Sequence, residues 1–170
     1  IFNAAVATGR SAAELAAPVD SIMFCLSKGL SAPAGSVLLG TREFIEEARC
    51  YRKRLRGGLR QAGILAAAGL VGLHSMVDRL AEDHENARRL ARGLSEIDGL
   101  RVDMETVQTN MVMCDLVDPR WDAPAFASAL REAGVLANDF GPRRVRFVTH
   151  KDVSAADVDE ALARIARIMK

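Results

Sequence analysis

The chain has 170 residues, 49% apolar and 26% charged, with a net charge of +1. That is enough to bury a core in one or two domains, and it leaves no overall field to recruit nucleic acid or a membrane surface. The three cysteines Cys25, Cys50 and Cys114 are far apart and show no metal-ligand spacing, so they imply reduced thiols and no metal site in a cytoplasmic protein.

Residues 1–8 predict the start of a helix, and Ile1 in place of an initiator methionine suggests the middle of a longer chain. No signal peptide is expected, because residues 1–9 lack a charged start followed by a long apolar run. Ser11 and Glu14 match a capping box for a short helix that ends near Pro18. The runs Ser21–Leu26 and Ser36–Leu39 predict short buried strands. Between them lies the stretch around which the chain is organised, a loop of Gly, Ser, Pro and Ala that carries Lys28. Nothing bulky stands there, so a flat ligand could lie close to the backbone. A lysine enclosed in an apolar pocket loses solvation of its charged form and becomes an amine nucleophile, as in a Schiff base with pyridoxal phosphate. The plainer alternative is a turn with an exposed lysine. Cys25 is read as a small core residue.

Thr41 predicts a helix cap, and Phe44, Ile45, Ala48, Tyr51 and Leu55 recur at helical spacing, which predicts packing on a sheet. The basic run Arg49–Arg60 either complements the helix dipole or marks an anionic site. Arg60 stands apart, because it follows Gly57-Gly58 and precedes a helix, a junction suited to phosphate recognition. Residues 61–94 predict one long helix. Its first half, Ala62–Leu73, is apolar nearly all round and is expected to be buried on most sides, at a domain junction or subunit interface. It is too short to span a bilayer. The second half is amphipathic and charged, with His84 expected as a solvated or salt-bridged helix residue and not a catalyst.

A smaller α+β unit follows, strand-strand-helix-strand-strand-helix. Strands are expected at Gly99–Val102, Asn110–Leu116, Val135–Asn138 and Arg144–Val148, and helices at Pro124–Ala133 and after Ser154. Within the last strand Arg146 lies among apolar residues, where a planar fork could pair with a carboxylate; it could equally be a surface arginine like Arg143 and Arg144. His150 is left without a role.

Four blocks carry a resemblance. They are Ser27-Lys28-Gly29-Leu30 with Pro33, Gly35 and Ser36; Gly57-Gly58-Leu59-Arg60-Gln61-Ala62-Gly63 running on to Gly69; Arg79-Leu80 with Glu82-Asp83-His84, Asn86 and Ala87; and Val145-Arg146-Phe147-Val148-Thr149-His150 with Asp152-Val153-Ser154. In this order they resemble the low-specificity L-threonine aldolases, and the resemblance covers nearly the whole chain. It implies an α/β fold, the C-terminal part of a fold-type-I pyridoxal 5'-phosphate enzyme. Residues 1–75 would be the end of the large domain, joined by a long helix to a small α+β domain at 76–170. It implies aldol cleavage of L-threonine, L-allo-threonine and related β-hydroxy-α-amino acids to glycine and an aldehyde. Lys28 would be the Schiff-base lysine, Arg60 would lie near the cofactor phosphate and Arg146 would bind the substrate carboxylate. The partners implied are an amino-acid substrate, the chain's own N-terminal half and further copies in a homodimer or homotetramer. Without that half, the piece is expected to be inactive. A β-eliminating lyase or a phenylserine aldolase is the near alternative. A non-catalytic piece that binds an acidic partner through Arg49–Arg60 is the distant one.

Overall fold

The computed structural model describes residues 1–170, which divide into two compact units, Ile1–Leu80 and Ala81–Lys170. The first unit begins with two short helices, α1 (Phe2–Thr8) and α2 (Ala12–Ala16). Ser11 accepts from the Glu14 N–H, and Glu14 reaches back to the Ser11 N–H at 2.8 Å, so the capping box forms as read. Strands β1 (Ile22–Cys25) and β2 (Ser36–Leu39) then pair antiparallel, Ile22 opposite Leu39 and Cys25 opposite Ser36. They are short ribbon strands and only half-buried at best, contrary to the expectation of buried strands.

Helix α3 (Arg42–Arg54) is capped by Thr41, whose hydroxyl accepts from the Phe44 N–H. It buries no residue, and Leu55 just beyond it is 82% exposed, because a two-stranded ribbon offers little surface to cover an apolar stripe. The expected long helix is interrupted. Helix α4 (Gly63–Ser75) ends before Met76, and α5 (Leu80–Ser95) starts anew after a turn. Nor is α4 buried on most sides: only Gly69 and Gly72 are, while Ile64, Leu70 and Val71 are exposed. No single helix is long and apolar enough to cross a membrane.

The second unit holds the larger core. Strands β3 (Leu100–Val102), β4 (Met111–Leu116), β5 (Asn138–Asp139) and β6 (Arg144–Val148) form an antiparallel sheet in the order β3-β4-β6-β5. The strand expected at 135–138 shrinks to Asn138–Asp139, and Val135 instead joins the core. Helices α6 (Ala123–Glu132) and α7 (Ala155–Met169) pack with α5 on the face that carries Val112, Cys114, Val145 and Phe147. Phe126, Leu94, Leu130 and Ile165 are fully enclosed there. Each such side chain contributes about 1.5–3 kcal/mol by leaving water. Burial pushes the Cys114 thiol up to about 12, so it is inert packing. The opposite face of the sheet carries Arg101, Met111, Met113, Asp115, Arg144 and Arg146, and no helix of this unit covers it.

Candidate functional site

The loop that carries Lys28 is held from inside. The Leu26 N–H donates to the Gly35 carbonyl at 2.9 Å, which extends the ribbon by one step. The Ala32 N–H donates to Leu26 at 3.0 Å, and the Ser31 N–H to Lys28 at 2.8 Å, with Ser31 in the left-handed region at φ 59. Leu26, Leu30 and Ala32 turn inward and form the small core of this unit with Phe2, Phe24 and Leu73 around them. Helix α4 closes on the loop through its glycines. A Cβ at Gly72 would stand 2.7 Å from the Leu30 carbonyl oxygen, and one at Gly69 would stand 2.9 Å from the Leu26 side chain. Gly69 and Gly72 thus serve the contact between α4 and the lysine loop.

Lys28 itself is exposed, because the inward side chains are its neighbours. It stands at the edge of a pocket of about 310 Å³ lined also by Phe2, Asn3, Met23, Cys25 and Gly29. Phe2 and Phe24 meet edge to face, with centroids 5.1 Å apart, and supply flat apolar wall. Cys25 is half-buried in this wall and not in the core. An accessible primary amine beside an apolar concavity can capture a carbonyl compound.

Arg60 is exposed in the turn between α3 and α4 and does not line the Lys28 pocket. The chain turns there by a helix-ending motif. The Gly57 N–H donates to the Arg52 carbonyl and the Arg56 N–H to the Lys53 carbonyl. The left-handed residues are Arg56 (φ 59) and Gln61 (φ 52), not the two glycines. Arg52, Lys53 and Arg54 occupy the last turn of α3, where cations favour the helix dipole, and Arg54 rests over the Tyr51 ring at 5.6 Å.

The second unit separates its three neighbouring arginines. Arg143 donates from Nε to the Leu116 carbonyl at 3.0 Å and from Nη2 to the Asp118 carbonyl at 2.7 Å. Arg144 donates from Nε to Asp115 at 2.6 Å, and this hydrogen bond, with Arg101 on the other side, holds the Asp115 carboxyl below its usual range. Arg146 has neither kind of partner. It lies half-buried on the open face of the sheet, between Met113 and Asn138 in register. Its guanidinium carbon lies 5.6 Å from the centroid of the Phe140 ring. Its Nε is closed off from water without an acceptor. The sequence reading missed Phe140. The signal was available in the Gly141-Pro142 turn, which folds Asn138–Asp139 back along the strand of Arg146.

The last two sequence blocks meet as a splint. The Thr149 hydroxyl donates to the Asp83 carbonyl at 2.6 Å, Asn86 Nδ2 to the Val153 carbonyl at 2.9 Å, and Asn110 Nδ2 to the Thr149 carbonyl at 2.9 Å. The first two tie α5 to the segment after β6, which begins three residues beyond Arg146, and the third ties that segment to the start of β4. His84 is buried, not solvated as expected, and burial holds its imidazole below the ordinary value; Arg88 adds to this and Asp83 opposes it. His150 is exposed, and its Nδ1 accepts from the Asp152 N–H at 3.3 Å. A concavity of about 380 Å³ runs beside Val135, Phe147, His150 and Arg164, but Arg164 is already bonded to Glu160 and to the Ala133 carbonyl. No cluster of His, Cys, Asp and Glu is arranged to hold a metal.

Residues 1–117 match the beta-eliminating lyase family. The chain is 41% identical over 170 residues to low-specificity L-threonine aldolase 1 of Arabidopsis thaliana, covering 99% of this chain and 48% of that protein. It is 42% identical over 163 residues to the low specificity L-threonine aldolase of Escherichia coli K12, covering 96% and 47%. The chain therefore spans about half the length of the curated relatives it matches. Among solved structures, a Listeria monocytogenes protein provisionally assigned as an L-allo-threonine aldolase superposes with a TM-score of 0.77 at 21% identity, over 98% of this chain and 49% of that one. The mixed α/β fold is that of the fold-type-I pyridoxal-phosphate enzymes.

Proposed function

Since the chain belongs to the beta-eliminating lyase family, we propose that it is the C-terminal part of a pyridoxal 5'-phosphate-dependent lyase. The reaction is the aldol cleavage of L-threonine, L-allo-threonine and related β-hydroxy-α-amino acids to glycine and an aldehyde. The observation that carries the reading is the Lys28 amine, open to an apolar pocket on a loop fixed by its own backbone bonds. The residues present fit the cofactor in kind, with a primary amine for its aldehyde, flat apolar walls for a ring and an exposed guanidinium at Arg60 for a phosphate.

When bound, the cofactor supplies an electron sink for the bond broken at Cα. Lys28 would hold it through Nζ, with its amine open to the apolar pocket. Arg60 lies outside this chain's Lys28 pocket and would reach the phosphate only in the assembled enzyme. Arg146 takes the substrate carboxylate on its terminal nitrogens and so fixes which bond at Cα is presented for cleavage. In this reading the first unit ends the large domain and the second is the small domain. The uncovered apolar side chains Leu55, Ile64, Leu70 and Val71 support completion of the first unit by the N-terminal half or by another subunit of a homodimer or homotetramer. The 170-residue piece alone is then inactive.

The test is borohydride reduction of the full-length protein with pyridoxal 5'-phosphate, followed by intact mass and peptide mapping, together with product analysis. One adduct on Lys28 with glycine and acetaldehyde released from L-threonine is expected. No adduct, or one on another lysine, would sink the assignment. Release of an α-keto acid and ammonia instead would mean a β-eliminating lyase.

A further inference from the structure

We propose that Phe140 is a positioning residue for the substrate carboxylate, acting by holding the Arg146 guanidinium in place. The inference rests on the reading that Arg146 takes that carboxylate. Phe140 is 51% exposed and stands outside the core of its unit. Burial therefore does not account for its place. Its backbone is well held: the Phe140 N–H donates to the Arg144 carbonyl at 2.7 Å, and Asn138 and Asp139 pair with Arg146 and Val145. The ring is thus tied to the same strand as the guanidinium it touches.

The two groups are complementary. The negative face of the ring attracts the cation, whose central carbon lies over the ring 5.6 Å from its centroid. A carboxylate is taken by two parallel N–H donors that lie in one plane. Of the guanidinium nitrogens only Nε is enclosed without a partner, which leaves the terminal pair as the open fork. A free arginine would lose much rotamer freedom on binding a carboxylate, and an arginine already held over a ring loses less. Arg143 spends Nε and one terminal nitrogen on backbone carbonyls, and Arg144 is already paired through Nε with the Asp115 carboxylate.

The experiment uses the full-length holoenzyme and four variants: Phe140→Leu, Phe140→Met, Phe140→Tyr and Arg146→Ala. The readouts are KM and kcat for L-threonine, and the spectroscopic dissociation constants of glycine and of methylamine, which lacks the carboxylate. For Phe140→Leu, KM and the glycine constant should rise about two- to fivefold with kcat near its starting value, as the loss of one cation–π contact implies. Phe140→Tyr should restore both, methylamine should bind unchanged, and Phe140→Met serves as the apolar replacement if leucine disturbs the strand. Weakened glycine binding in Arg146→Ala with no change in either apolar variant overturns the role of Phe140 and leaves the reading of Arg146 standing. Unchanged glycine binding in Arg146→Ala overturns both. Equal weakening of glycine and methylamine in the Phe140 variants means a structural effect and also overturns the proposal.

Discussion

Phe44 and Phe126 both lie on the inner stripe of an amphipathic helix, yet Phe126 on α6 is fully buried and Phe44 on α3 is 39% exposed. The helices differ less than their surroundings. Helix α6 meets a four-stranded sheet with α5 and α7 beside it, whereas the unit of α3 contains only a two-stranded ribbon. Apolar spacing therefore reports a face that must be covered, not a face that is. The same contrast applies to α4, whose composition is that of a buried helix and whose large side chains Ile64 and Val71 stand 75% and 62% exposed.

Large-to-small substitution tests that contrast most strongly. Phe126→Ala should cost about 3–5 kcal/mol in chemical denaturation, while Phe44→Ala should cost under about 1 kcal/mol in this chain. Equal losses would mean that α3 is covered after all. Gly72→Ala sharpens it from the other side. The added methyl meets backbone, which cannot swing aside, so a loss of about 1–3 kcal/mol is expected together with less cofactor trapped at Lys28 after reduction. Gly63→Ala, with open space around it, should be neutral or stabilising by up to about 1 kcal/mol. If both alanines behave alike, α4 does not clamp the loop.

The smallest effect concerns His84. Its folded value lies below the ordinary 6.5 because burial disfavours the charged ring, so the unfolded chain takes up the proton first. Its contribution is complete above pH 6.5, is lost as pH falls below that value, and levels off below the folded one. His84→Gln should flatten this limb in thermal melts, and an unchanged limb would assign it to other groups.

Local chemistry made much of this legible. Ser11, Thr41 and Ser154 cap the helices they were expected to cap, because a capping hydroxyl and its N–H partners lie within three residues. The succession of strands and helices in the second unit followed from alternation and helical period, whereas their order in the sheet did not. The candidate site was less visible. The exposure of Lys28 depends on which loop residues turn inward, and the break after Ser75 falls in a stretch whose apolar content reads as continuous helix. Phe140 meets Arg146 only through sheet register. His84 looked solvated because its sequence neighbours are charged, yet Asp83 beside it is buried as well.

The contact of α4 with the lysine loop carries one more lesson. At Gly72 the helix meets the Leu30 carbonyl oxygen, an atom that every residue type has in common. The location of the amine is thus encoded by an omission, a missing methyl, more than by any large side chain. Drift in the bulky residues around the loop could proceed without moving the nucleophile, whereas one added carbon at this spot would displace it.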